Sequence, residues 1–296
     1  DDHYTPSVVR YQAALHPVFY FFLYIFICII LIILLIFIVN INIYIYIYVN
    51  DKKNLINMKF IYLATFFLIN SNLSANDLDI STTSGISKGF LINGVINWDD
   101  IPYSQPPIGD LRWKAPRNIL KKNILIEPKD NNFCIQKPSG MGGSDFNGDE
   151  FFSGSEDCLY LDIKAPLVKP NDLLPVMFWI HGGGNTSGLK DIYDFSKMVK
   201  KHDVIVVTIN YRLGPFGWFT HPSIQSLQND DDKSSNFGTL DIIAALEWVK
   251  SNISLFGGNP DNVTIFGESA GGHNVFSLLA SKKAEGLFHK AISQSG

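Results

Sequence analysis

Cysteine is scarce in this chain. Three occur in 296 residues, at Cys28, Cys134 and Cys158, and their spacing fits no zinc-ligand pattern. Neither a metal nor a cofactor is expected. An excess of one charge is also missing. With 24 Lys and Arg against 28 Asp and Glu, the formal charge is only −4, so there is no electrostatic reason to expect nucleic acid as a partner. No internal repeat appears from Asn76 onward. Methionine is absent before Met58, and charge is absent from Val18 to Val39.

Those last two absences bear on the N-terminus. The twenty-two residues 18–39 are long enough to cross a hydrocarbon core. The run Ile43-Tyr44-Ile45-Tyr46-Ile47-Tyr48 that follows is what ATATAT reads as in triplets. Residues 1–57 are therefore expected to be translated upstream DNA, with a membrane anchor at 18–39 as the alternative. From Met58 the layout is that of a secretory leader: Lys59, the apolar core Phe60–Ile69, then small polar residues to Ala75, with Leu73 imperfect at the −3 position. The chain is expected to divide into an extension 1–57, a signal peptide 58–75 and a main part 76–296. Export would place the protein in a secreted or periplasmic compartment, or on a membrane if 18–39 is translated. In such a compartment Cys134 and Cys158 either bridge, closing a loop worth ~3 kcal/mol, or remain separate thiols.

What the sequence does contain is Gly267-Glu268-Ser269-Ala270-Gly271, directly after the β-branched run Val263–Phe266 and before a helical stretch, Ala270–Leu279. A strand that reverses sharply into a helix needs residues without bulk around the turning position. Ser269 then stands exposed as a nucleophile, with Gly267 and Gly271 as the supporting glycines. His181-Gly182-Gly183-Gly184 follows the strand Val176–Ile180. Consecutive glycines turn main-chain N–H groups toward a ligand, here the oxyanion formed when Ser269 attacks a carbonyl.

The rest reads as alternating strands and helices. Strands are expected at 159–163, 176–180, 204–209 and from 291. A hairpin is expected at Asn93-Gly94, and a helix through Ile242, Leu246, Val249 and Ile253 ends at Gly257-Gly258. This alternation predicts an α/β fold with a mostly parallel sheet flanked by helices.

From Ile101 to Gly296 the chain resembles the type-B carboxylesterases, the α/β-hydrolases that include cholinesterases. The likeness rests on IPYSQPPIGDLRW (101–113), SEDCLYLDI (155–163), FWIHGGG (178–184), VVTINYRLGPFGWF (206–219), LFGGNPDNVTIFGESAGG (255–272) and AISQSG (291–296). The resemblance implies a serine carboxylic-ester hydrolase acting on a small-molecule ester through an acyl-enzyme on Ser269. Its oxyanion would be held by the amides of Gly183, Gly184 and Ala270. Glu268 would tune the field beside the serine, and His181 with Gly182 would shape the loop. Cys134–Cys158 would be the family's first disulfide.

In this fold the serine is followed by an acid and then a histidine. After Gly271 the only histidines are His273 and His289, neither placed to serve as base, so both partners are expected beyond Gly296. A fragment of that kind, truncated before its last strands, is expected to be inactive alone. Two other readings stand beside the esterase. One is a non-catalytic cholinesterase-like adhesion protein. The other is a lipase or lactonase relative with the same machinery.

Overall fold

The computed structural model describes residues 78–119, 123–130, 132–143, 151–167 and 172–296. The extension 1–57, its apolar span 18–39 and the leader 58–75 lie outside the described residues. Among those described, no helix is long and apolar enough to cross a membrane.

A two-stranded ribbon, β1 (Ile80–Thr82) and β2 (Gly85–Ser87), precedes a seven-stranded sheet. The sheet opens with the hairpin of β3 (Phe90–Ile92) and β4 (Val95–Pro102). Asn93 and Gly94 join them at φ 53° and 75°, the pair of left-handed positions that an Asn-Gly turn supplies. Then come β5 (Tyr160–Pro166), β6 (Leu174–Ile180), α1 (Ser196–His202), β7 (Ile205–Ile209) and the single turns α2 (Gly214–Gly217) and α3 (Pro222–Gln225). The long helix α4 (Phe237–Asn252), β8 (Gly258–Glu268), α5 (Ala270–Ala280) and β9 (Lys290–Gln294) complete the order. Across the sheet the strands run β3-β4-β5-β7-β6-β8-β9. The four strands from β7 to β9 pair in parallel, and β3, β4 and β5 add an antiparallel edge to them.

The parallel strands carry the core because both their faces are covered. Every residue of β7 is buried, as a strand enclosed on two sides requires. Val176, Phe178 and Ile180 of β6 lie in one apolar cluster with Ile205, Val207 and Ile209 of β7 and Val263 and Ile265 of β8. Ile242, Leu246 and Val249 of α4 join the same cluster, one helical face meeting the sheet. Ile253, expected at the same spacing, joins the same cluster from just past α4, where it opens a short 3-10 turn that ends on Gly257 at φ 88°.

Two buried cations tie the loops to this frame. Arg212, after β7, meets Asp241 of α4 through two bonds of 2.7 Å, with both side chains almost wholly buried. Lys190 is 2% exposed and its Nζ lies 2.7 Å from Asp162, 2.9 Å from Asp191 and 3.1 Å from Asp100. Burial works against its charge, but the three carboxylates prevail and hold the lysine above its ordinary range. The structure bonds Cys134 to Cys158, with Cα atoms 4.9 Å apart.

Candidate active site

Ser269 sits where β8 gives way to α5, at φ 58° and ψ −122°, a backbone state that costs a side-chain-bearing residue of order 1–3 kcal/mol. The strain is held from three sides. The Ser269 N–H donates to Gln294 O at 2.8 Å, and Ser269 O accepts from His273 N at 3.0 Å, starting the helix. Close approach supplies the third restraint. A Cβ on Gly271 would lie 2.1 Å from Ile180 O, and one on Gly267 would lie 2.5 Å from the Gly271 backbone. No larger residue fits either place, so the strand end, the turn and the helix start are packed backbone to backbone.

Because β6 and β8 are parallel neighbours with Ile180 opposite Gly267, the residues following each strand emerge side by side. Gly182 lies directly against the serine: a Cβ there would be 3.2 Å from Ser269 Cβ, 2.7 Å from Glu268 O and 3.3 Å from Glu268 Oε2. Gly183 turns away at φ 100°, and its carbonyl accepts the N–H groups of Thr186 and Ser187 at 3.1 and 3.0 Å. Among the described residues, no acceptor takes the N–H of Gly183 or Gly184. Ala270 is the first residue of α5, and an amide at that position has no partner within its helix. Ser269 is only half-buried and Gly184 is exposed. Unspent donors beside a partly open hydroxyl, at a helix N-terminus, suit an anion forming on a substrate.

His181 is fully buried. Its ring stacks on Tyr211 with centroids 4.3 Å apart, and its Nδ1 lies 2.8 Å from Gly182 O. Burial lowers its pKa to about 4 against the pull of the Gly182 carbonyl, so the ring is neutral at pH 7. Its Nε2 has no partner among the described residues.

Two further residues hold this loop. Tyr211 donates its hydroxyl to His181 O at 2.7 Å. Asn274, one turn along α5 from the serine, donates to Asn185 Oδ1 at 2.9 Å. Sequence reasoning did not single out either one. Tyr211 lies inside the VVTINYRLGPFGWF segment and Asn274 follows the elbow glycines, so their position in motifs was the only available signal.

The other histidines among the described residues lie elsewhere. His273 is exposed on α5, and among the described residues no side-chain bond joins it to Ser269. His289 clasps the middle of β8, accepting from Val263 N at 3.1 Å and donating its own N–H to Val263 O at 2.8 Å. His202 closes α1, and His221 caps α3 by accepting from Ser223 N. No cluster of His, Cys, Asp or Glu able to hold a metal occurs among the described residues.

Comparison with known proteins gives a consistent result. Residues 77–296 match the carboxylesterase family. The chain is 46% identical over 220 residues to the para-nitrobenzyl esterase of Bacillus subtilis, covering 73% of this chain and 43% of that protein. It is 42% identical over 211 residues to carboxylesterase 1D of Rattus norvegicus, covering 66% and 35%. A thermophilic PNB esterase structure aligns with a TM-score of 0.64 at 45% identity, over 74% of this chain and 44% of the other. A carboxylesterase structure from Geobacillus stearothermophilus gives 0.60 at 36% identity, over 73% and 43%. These structures share the α/β-hydrolase architecture described above. The chain spans less than half the length of these relatives.

Proposed function

The chain belongs to the carboxylesterase family, and from that premise we propose that the native protein hydrolyses carboxylic esters through an acyl-enzyme on Ser269. Ser269 Oγ attacks the carbonyl carbon of the ester, and the amides of Gly183, Gly184 and Ala270 receive the oxyanion. The alcohol departs with a proton, and water then releases the acid and restores the hydroxyl. The general base is the histidine that the family resemblance puts after Gly296, with an acidic partner before it. Gly267, Gly271 and Gly182 give the nucleophile its room, His181 shapes the loop and Glu268 sets the field beside the serine. Relatives named for p-nitrobenzyl esters make an ester of an aromatic alcohol the first substrate class to try. Export through residues 58–75 and a Cys134–Cys158 bridge fit a secreted or periplasmic enzyme.

The observation that carries the reading is the strained Ser269 turn set directly against a glycine loop whose amides are unspent. An adhesion protein of this fold would need neither. The test is hydrolysis of p-nitrobenzyl and p-nitrophenyl esters by the native protein at its natural length, together with mass spectrometry after fluorophosphonate treatment. Hydrolysis that Ser269→Ala abolishes, with the adduct on Ser269, is expected. A folded native protein that neither turns over these esters nor takes the label would overturn the proposal.

A further inference from the structure

Four of the eight residues from His181 to Gly188 are glycines. Glycines bring no side chain to pack, and the loop's function in the proposed reaction needs two amides fixed to a few tenths of an ångström. Its first end is secured because it continues β6. Its second end, Gly188, lies at φ 115° and presses back on the first: a Cβ there would be 2.3 Å from His181 Nδ1 and 2.6 Å from Gly182 O. Whatever places Gly188 therefore places Gly182 as well.

That residue is held by one side chain. Gln136 Oε1 accepts the Gly188 N–H at 2.8 Å, and Gln136 Nε2 donates to Gly188 O at 2.9 Å. The amide thus pairs with both main-chain groups of a single residue, as a neighbouring strand would. Its other amide hydrogen goes to Cys134 O at 3.1 Å. Gln136 is 2% exposed, so no water competes for these bonds. Its own main chain is fixed in turn, exchanging bonds of 3.0 and 2.9 Å with Ser153, and both residues lie within the segment that Cys134–Cys158 closes. The restraint therefore originates in a covalently closed loop and ends on the oxyanion segment.

We propose that Gln136 is a positioning residue for the Gly182–Gly184 loop, setting the oxyanion amides through Gly188. This rests on the reading that those amides bind the oxyanion. The residue touches no substrate. It acts on the geometry that stabilises the tetrahedral intermediate, so its loss should weaken the transition state and leave ground-state binding nearly alone.

The experiment compares Gln136→Met, similar in length with no hydrogen-bonding amide, and Gln136→Glu, which keeps the acceptor for Gly188 N–H, in the native protein. Amide hydrogen exchange over residues 181–189 is measured first. Next come kcat and KM on a p-nitrophenyl ester, with inhibition by a trifluoromethyl ketone, all normalised to serine sites titrated with fluorophosphonate. In Gln136→Met the loop should exchange about tenfold faster or more. Per-site kcat should fall about 10- to 100-fold with KM little changed. The ketone should weaken by the same factor as kcat/KM, and Gln136→Glu should recover part of each loss. Unchanged exchange in the loop overturns the proposal, as does a wild-type per-site kcat in a variant whose melting temperature has dropped. If Gln136→Met does not fold, Gln136→Glu decides on the same readouts. If the wild-type protein titrates no serine, the esterase reading fails instead, and the exchange measurement still decides whether Gln136 holds the loop.

Discussion

Replacing Gly271 with alanine should separate the nucleophile from its oxyanion donors. The added Cβ would lie 2.1 Å from Ile180 O and 2.9 Å from His181 O. Both are main-chain atoms at the end of a buried strand, so neither can rotate aside. An ordinary carbon–oxygen contact is about 3.3 Å or more, so α5 must retreat from β6 by roughly 1 Å. Overpacking on this scale costs about 1–3 kcal/mol of stability. A 1 Å displacement between reacting groups costs about 100-fold in rate. The control is Gly286→Ala, at φ 76° with nothing within 4 Å of the new Cβ. It bears only the left-handed backbone penalty of about 1 kcal/mol and lies outside the site. Urea unfolding gives the stability of each variant, and stopped-flow acylation by fluorophosphonate gives the rate per titratable serine. Gly271→Ala should react about 100-fold more slowly than wild type, while Gly286→Ala should react normally at a comparable loss of stability. A Gly271→Ala protein that acylates at the wild-type rate would show that the backbone contact does not set the nucleophile's position.

Two further predictions concern buried charge. His181 has a folded pKa of about 4 against 6.5 for a free histidine. Between those values the unfolded chain binds a proton that the folded one refuses, so its contribution is complete above pH ~6.5. That contribution is lost as the pH falls toward 4, and amounts to ~3 kcal/mol. Denaturant unfolding of wild type and His181→Phe at pH 7 and pH 4.5 should show the wild type losing ground at the lower pH, and a gap that does not change with pH refutes the assignment. Lys190→Met removes the cation from among Asp100, Asp162 and Asp191 and should cost about 3–5 kcal/mol at pH 7. Burial already raises Asp162 well above its ordinary range despite the lysine's pull. Without the cation Asp162 should therefore take up a proton readily, the deficit shrinking as the pH falls from 7 to 5. A constant deficit would mean that the lysine acts through packing alone.

Local turn geometry is more legible in this sequence than strand order is. Local chemistry marks the elbow, the triple glycine and the Asn93-Gly94 hairpin, because each needs a particular backbone state and few residue types supply it. The strands β6 and β7 lie within two residues of their apolar runs, since burial on both faces leaves an unbroken signal. The antiparallel edge is different. The order β4-β5-β7 depends on pairings more than forty residues apart, and alternation along the chain does not encode it. Gly258, expected within a helix stop, begins β8, where its missing side chain lets Val176 and Ile253 close in. Lys190 and Gln136 look like ordinary polar loop residues. Only convergence of distant segments buries them, so no local pattern could mark what they hold.

The bond from the Ser269 amide to Gln294 O has a consequence for biosynthesis. The acceptor lies twenty-five residues after the donor, so the ribosome makes the serine well before it makes the group that pins it. At ordinary elongation rates that gap lasts about one to five seconds. During this interval the turn must wait, unlatched, for β9 to be translated and to dock beside β8.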